Sequence, residues 1–215
     1  LHGRIATEKA RLCSYGVNPD TCEVFGEGVV RQVSLFGETL ELRRRVIVPL
    51  FESELRIEDR VTNRGFRPSH HAINYHLNFG YPFLDQHLTV QGLPEPVGSI
   101  VNEMCPMPHD GYGEKVDVVD SRLTPHATPV SLRNQQSGNL VELSYSQSSL
   151  PKLAIWHPHQ TGVFALRVEP RTDPRSAAGQ LLQVGEMKSY SLAIKFSLRE
   201  CSQYLQRCSI DRARN

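Results

Sequence analysis

Between Glu54 and Val61 the side chains alternate, with Leu55, Ile57 and Val61 on one face and Glu54, Arg56, Glu58 and Arg60 on the other. A period of two fits a strand buried on one side and wet on the other, and it does not fit a helix. Leu40, Leu42, Val46 and Val48 alternate in the same way, with Arg44 interrupting on their own face. Tyr190, Leu192, Ile194, Phe196 and Leu198 repeat the pattern near the end. Shorter strands are predicted at Val29–Leu35, Ile73–Phe79, Lys115–Val119, Leu140–Tyr145, Leu153–Trp156 and Val163–Val168. Turn signals separate them at Phe36-Gly37-Glu38, Asn63-Arg64-Gly65, Ser137-Gly138-Asn139, Gln160-Thr161-Gly162 and Val184-Gly185-Glu186. Many short antiparallel strands of this kind predict an all-β sandwich or barrel. Helix is expected only at Thr7–Leu12 and Arg199–Arg207, and the Pro/Gly-rich stretch Gly92–Gly113 reads as a long loop.

Composition narrows the function classes. Lys plus Arg number 24 against 23 Asp plus Glu, a net charge of +1 in 215 residues. That balance argues against a nucleic-acid partner held by net positive charge. The 16 aromatic residues are not interleaved with a basic stripe, so a single-strand-binding platform is not expected either. With 39% hydrophobic residues the chain can build a core and is not a disordered polyelectrolyte. No apolar run approaches the roughly 18 residues of a membrane helix, and no secretory leader is visible, so no membrane partner is expected. Five cysteines at irregular spacing, without CxxC, fit a reduced, cytoplasmic setting better than a disulfide framework.

Familiar chemical motifs are missing. There is no GxGxxG, P-loop or GxSxG. His157-Pro158-His159 puts two imidazoles at i and i+2, a spacing that could hold Zn²⁺, but no third ligand is evident and the pair reads as structural. His70-His71 points to opposite faces of a strand and reads the same way. No cofactor and no metal are expected.

Two segments stand apart. One is Val61-Thr62-Asn63-Arg64-Gly65 followed by Tyr75-His76-Leu77-Asn78-Phe79-Gly80-Tyr81-Pro82, and the other is Leu166-Arg167-Val168-Glu169-Pro170. Together they resemble the galactose mutarotase-like (aldose 1-epimerase) superfamily. In that superfamily a V-x-N-x-G turn leads to a strand carrying a His with an aromatic and an Asn, and a late strand delivers a Glu. Leu1-His2-Gly3-Arg4-Ile5 is similar to the HGRIS signature of an uncharacterised bacterial branch. Ser34-Leu35-Phe36-Gly37-Glu38-Thr39-Leu40 and Gly113-Glu114-Lys115-Val116 are similar to that branch too. The resemblance runs from Leu1 to Phe196.

It implies a large antiparallel β-sandwich with a sugar-binding cleft, His76 as general acid and Glu169 as general base. Anomer exchange removes the proton of the C1 hydroxyl and protonates the ring oxygen; the ring opens, the C1–C2 bond rotates, and the ring closes on the other face. A carboxylate and an imidazolium held on opposite sides of the sugar can do this without a cofactor, and their proximity favours that charge pattern. The resemblance also implies His2, Arg4, Asn78 and Glu114 as sugar-binding residues, Arg4 through its fork of donors. Trp156, the only Trp, reads as a core residue, with stacking on a sugar as its functional alternative.

The chain departs from the family at both ends. It starts at the HGR element, without the strands that precede it in family members, so either it is a fragment or the sandwich is built without its first strands; missing strands would expose sheet edges, and a homodimer covering them is the expectation. Where the resemblance leads one to expect Gly-Leu-Glu-Pro around the Glu, the chain has Leu166-Arg167-Val168-Glu169-Pro170, with Arg167 unusual. The expected organisation is one β-sandwich domain over 1–198 and a tail or short helix over 199–215. The expected partner is a small-molecule sugar, and the expected activity is a cofactor-free mutarotase. A non-catalytic carbohydrate-binding or sensing protein on the same scaffold is the alternative, and a carbohydrate lyase or hydrolase the third reading.

Overall fold

A computed structural model of the chain describes residues 3–95, 97–98, 108–123, 129–173 and 181–198. Nearly all of its regular structure is β. A 3-10 turn at Arg4–Thr7 precedes β1 (Arg11–Asn18), β2 (Glu23–Val33), β3 (Thr39–Pro49), β4 (Glu54–Asn63), β5 (Ser69–His70), β6 (Leu77–Phe79), β7 (Leu88–Gln91) and β8 (Val116–Asp120). A second 3-10 turn, Ser121–Leu123, leads to β9 (Val130–Asn134), β10 (Leu140–Tyr145), β11 (Lys152–Trp156), β12 (His159–Gln160) and β13 (Val163–Phe164). The last strands are β14 (Leu166–Arg171), β15 (Leu181–Leu182) and β16 (Met187–Ser197).

The helix expected at Thr7–Leu12 is not formed. The turn ends at Thr7, and Arg11 and Leu12 open β1, pairing with Val29 and Gly28 of β2. Ladder hydrogen bonds to β2 satisfy this backbone, whereas a helix of six residues is too short to hold itself. The strand expected over Ile73–Phe79 is regular only at Leu77–Phe79, and Val163–Val168 breaks into β13 and β14. The helix expected at Arg199–Arg207 and the tail read over 199–215 lie outside the described residues, as do residues 96 and 99–107 of the expected loop between Gly92 and Gly113.

The described residues fall into two compact units. The first is drawn from Leu1–Tyr75, Tyr145–Leu153 and Pro170–Ala193. Here β1, β2, β3 and β4 follow one another as antiparallel neighbours. Cross-strand partners share a face. Leu42 opposite Val61 and Val46 opposite Ile57 therefore make an apolar face, with Val24 opposite Val48 continuing it. Arg44 opposite Asp59 lies in the middle of that face. Asp59 is 1% exposed, and its carboxylate is fully satisfied. The Arg44 fork donates to both oxygens at 2.8 and 2.7 Å, and Tyr75 Oη donates to Oδ2 at 2.7 Å. Burial, reinforced by the neighbouring Asp59 charge, pushes the Tyr75 hydroxyl far above the usual phenol range, so it stays a donor.

The opposite face is a quilt of ion pairs. Arg43 meets Glu27, Arg56 meets Glu23, and Arg31 and Arg64 both meet Glu41. The Arg45 guanidinium lies over the Phe25 ring. Long arginine stems cover Val29 and Ile47, which are buried although they stand on the charged side. At the end of β4, Asn63 ties the first unit together. Its amide donates to the carbonyls of Arg67 and Leu182, and its side-chain oxygen accepts the Gly65 N–H.

The second unit is drawn from His76–Ser144, Ala154–Glu169 and Ile194–Asn215. Antiparallel pairing runs from β7 to β9 to β10, and a four-stranded sheet has the order β6-β14-β11-β8. Leu132, Leu143, Ile155, Leu166 and Val168 are buried in this unit.

Two stability outcomes follow from the first unit. Replacing Arg44 by Leu strands a buried carboxylate and is expected to cost about 3 kcal/mol in urea unfolding, while Arg44→Leu combined with Asp59→Leu recovers most of it. Arg43→Leu, which breaks a pair on the charged, solvent-screened face, is expected to cost much less than Arg44→Leu; equal losses for Arg43 and Arg44 would refute the distinction. His71, buried and hydrogen-bonded to Tyr190 at 2.8 Å, has its pKa lowered to about 4, by burial first and the Lys188 charge second. Below the ordinary value of 6.5 the unfolded chain binds a proton that the folded chain refuses, so stability falls as pH drops from 6.5 toward about 4. The contribution reaches about 3 kcal/mol at the low end. His71→Gln is expected to flatten the pH dependence of unfolding across that window; an unchanged slope would show that His71 does not carry it.

Candidate functional site

Pairing between β6 and β14 sets the geometry. Phe79 stands opposite Leu166, Asn78 opposite Arg167 and Leu77 opposite Val168. Carried on by one step, the register puts His76 opposite Glu169, and the two side chains meet: His76 Nδ1 lies 3.2 Å from Glu169 Oε1. The carboxylate is 8% exposed and the imidazole 28%, so the carboxylate is sheltered while the ring reaches solvent. Val168, between the two polar residues of β14, is fully buried on the other face. Alternation along the strand therefore sends Arg167 and Glu169 one way and the core residues the other.

A second row crosses the same sheet. Arg167 follows Asn78, and its guanidinium carbon stands 3.7 Å from the centroid of the Trp156 ring on β11. Trp156 Nε1 in turn donates to Glu114 Oε2 at 2.7 Å, just ahead of β8. The row thus reads Asn78, Arg167, Trp156, Glu114 across four strands in sheet order. Trp156 is half-buried, and one face of its ring is already covered by Arg167.

The predicted residues separate on this geometry. His76 and Glu169 come together, with Asn78 in the neighbouring position of the register. Glu114 is in the same unit, held by Trp156. Arg4 belongs to the first unit, where it is exposed and forms an ion pair with Glu38. His2 lies outside the described residues. The expectation that acid and base stand on opposite sides of a sugar is not what the structure shows. Their tips touch, because the register makes them direct cross-strand partners, and a sugar ring does not fit between them. Arg167 was noticeable in the sequence only as a departure; its place two residues before Glu169 was the signal that it shares the glutamate's face.

The His-Pro-His segment is structural. His157 is 1% exposed with both ring nitrogens engaged, Nδ1 with Tyr112 Oη at 2.8 Å and Nε2 with Asp117 Oδ2 at 3.1 Å. His159 stacks on Tyr112 and meets Phe164 edge-on. Among the described residues no group of three or more His, Cys, Asp or Glu is placed to hold a metal ion.

A family model described as a domain of unknown function, DUF4432, matches residues 1–195. A search of curated proteins returns no match. Among solved structures, a candidate aldose 1-epimerase from Klebsiella pneumoniae subsp. pneumoniae MGH 78578 aligns with a TM-score of 0.70 at 18% identity, over 81% of this chain and 50% of that one. A galactose mutarotase-like protein from Clostridium acetobutylicum aligns with a TM-score of 0.69 at 14% identity, over 92% of this chain and 69% of that one. Galactose 1-epimerase from Lactobacillus acidophilus NCFM gives a TM-score of 0.58 at 11% identity, over 89% and 66% respectively. This chain spans half the length of the first of these. At such identities the likeness shows the fold, an all-β sandwich of the galactose mutarotase-like kind. With residues 1–195 matched, the chain belongs to the DUF4432 family, built on the galactose mutarotase-like fold.

Proposed function

We propose that this chain carries the acid–base centre of a cofactor-free, aldose 1-epimerase-like isomerase that interconverts the anomers of a reducing sugar. The observation that carries the reading is the contact between the sheltered Glu169 carboxylate and the partly open His76 imidazole. The fold shared with candidate epimerases supports it as analogy only.

Contact between acid and base suits the chemistry. The anomeric carbon of a cyclic sugar bears both the hydroxyl that must lose a proton and the ring oxygen that must gain one. Two groups with touching tips can address two oxygens on one carbon if the sugar lies over the pair. Glu169 takes the proton from the C1 hydroxyl. The imidazolium of His76, which meets Glu169 through Nδ1, gives a proton to the ring oxygen as the C1–O bond breaks. Rotation about C1–C2 presents the other face of the carbonyl. Ring closure returns each proton to the group that supplied it, so the pair is regenerated. Asn78, exposed beside the pair, offers an amide to a sugar hydroxyl. Glu114 remains a candidate sugar contact from the resemblance. The free, exposed Cys13 and Cys22 support a reducing compartment such as the cytoplasm.

Anomer-exchange NMR on a panel of reducing sugars tests the reading. Wild type is expected to accelerate exchange for at least one sugar, and Glu169→Gln and His76→Asn are each expected to slow it about a hundredfold or more. Binding of sugars without accelerated exchange would replace this reading with that of a carbohydrate-binding protein.

A further inference from the structure

The acid–base pair leaves one neighbouring charge unexplained. In the first unit, Arg31, Arg43, Arg44, Arg56 and Arg64 each meet a carboxylate, and in the second Arg122 meets Asp120. Arg167 meets none among the described residues. Its Nε is buried and has no hydrogen-bond partner there, although its guanidinium is held against the Trp156 ring. The two acidic groups on its face are already engaged, Glu169 by His76 and Glu114 by Trp156.

A guanidinium held over an indole ring is weakly hydrated and able to pair with a carboxylate or phosphate in a two-pronged geometry. Leaving such a charge half-buried without an anion is unfavourable, and a ligand that brings the anion removes the penalty. Position agrees with this. Arg167 and Glu169 leave the same face two residues apart, about 7 Å along the strand at 3.3–3.4 Å per residue. That interval is comparable to the reach from the anomeric carbon to an anion carried on C6 of a six-membered sugar ring, with one hydrogen bond added.

We infer that Arg167 is the specificity-determining residue of the site and that the substrate is a reducing sugar bearing an anionic group, a carboxylate or a phosphate. The anion pairs with Arg167 while the anomeric end lies over His76 and Glu169. This inference rests on reading His76 and Glu169 as the acid–base pair. Trp156 serves as the shelf that aims the guanidinium and, with that face covered, does not itself stack on the sugar.

The test is anomer-exchange NMR on the full chain with matched probes: glucose against glucuronate and glucose 6-phosphate, and galactose against galacturonate. The expected result is a KM at least about tenfold lower for a charged member than for its neutral counterpart, falling away at high salt. The uronate and phosphate arms identify which anion is held. Arg167→Met is expected to abolish that ratio and Arg167→Lys to keep part of it, since the charge stays and the stacked fork is lost. Arg133→Met, on β9, is expected to leave the ratio unchanged. Should the Met variant fail to fold, the Lys variant decides. Equal KM for charged and neutral sugars in wild type would overturn the inference, as would Arg167 variants that weaken all sugars alike. Saturation-transfer NMR on the same probes separates the two readings. Arg167-dependent binding of charged sugars without exchange upholds Arg167 as the anion contact and refutes the acid–base reading. Exchange of sugars with no preference for charge does the reverse.

Discussion

The antiparallel register between β6 and β14 is the constraint on which the candidate chemistry depends. Three consecutive partner pairs, Phe79 with Leu166, Asn78 with Arg167 and Leu77 with Val168, leave no freedom over what comes next. His76 must face Glu169, and both must stand on the side away from fully buried Val168. A slip of one residue would turn Glu169 and Arg167 into the core and Val168 out of it. The apolar residues of β14 therefore hold the polar pair in place, because their burial makes any other register unfavourable.

The period-two pattern made most of this visible in the sequence. It located β3, β4, β10 and β16 closely, since each carries enough alternation to declare a strand. Other elements were hidden for particular reasons. In β1, Arg11 to Tyr15 are all exposed, so no buried face marks the strand, and its identity comes from pairing with β2. Asp59 reads as an interruption of polar residues, yet it stands on the apolar face with Leu55, Ile57 and Val61; only the register, which places Arg44 opposite it, shows that a buried carboxylate is tolerable there. Val29 and Ile47 lie on the charged face and are buried by arginine stems, which a two-sided pattern does not anticipate.

For the candidate site, residue identity was legible and geometry was not. His76 and Glu169 were picked out by their motifs, but sequence separation says nothing of whether a pair spans a cleft or touches across two strands. The row through Asn78, Arg167, Trp156 and Glu114 was invisible as a row because its members come from four parts of the chain and are brought side by side only by the strand order β6-β14-β11-β8.

Two arginines show how structure separates a scaffold charge from a charge kept for a ligand. Arg44 and Arg167 both lie on strands, both approach an aromatic ring and both are partly covered. Arg44 has Asp59, and Asp59 has Tyr75 as well, so the buried carboxylate and its charge partner are matched within the protein. His157, held between Tyr112 and Asp117, is closed in the same sense. Networks that satisfy themselves stabilise the fold and have nothing left to offer a substrate. Arg167 is built into its sheet with equal care, and its orientation is fixed by Trp156, but the sheet supplies no anion for it among the described residues. An oriented charge beside an acid–base pair, without an internal partner, is what recognition of a charged substrate requires. Fixing the guanidinium before binding also removes an ordering cost that a free arginine would impose on the complex.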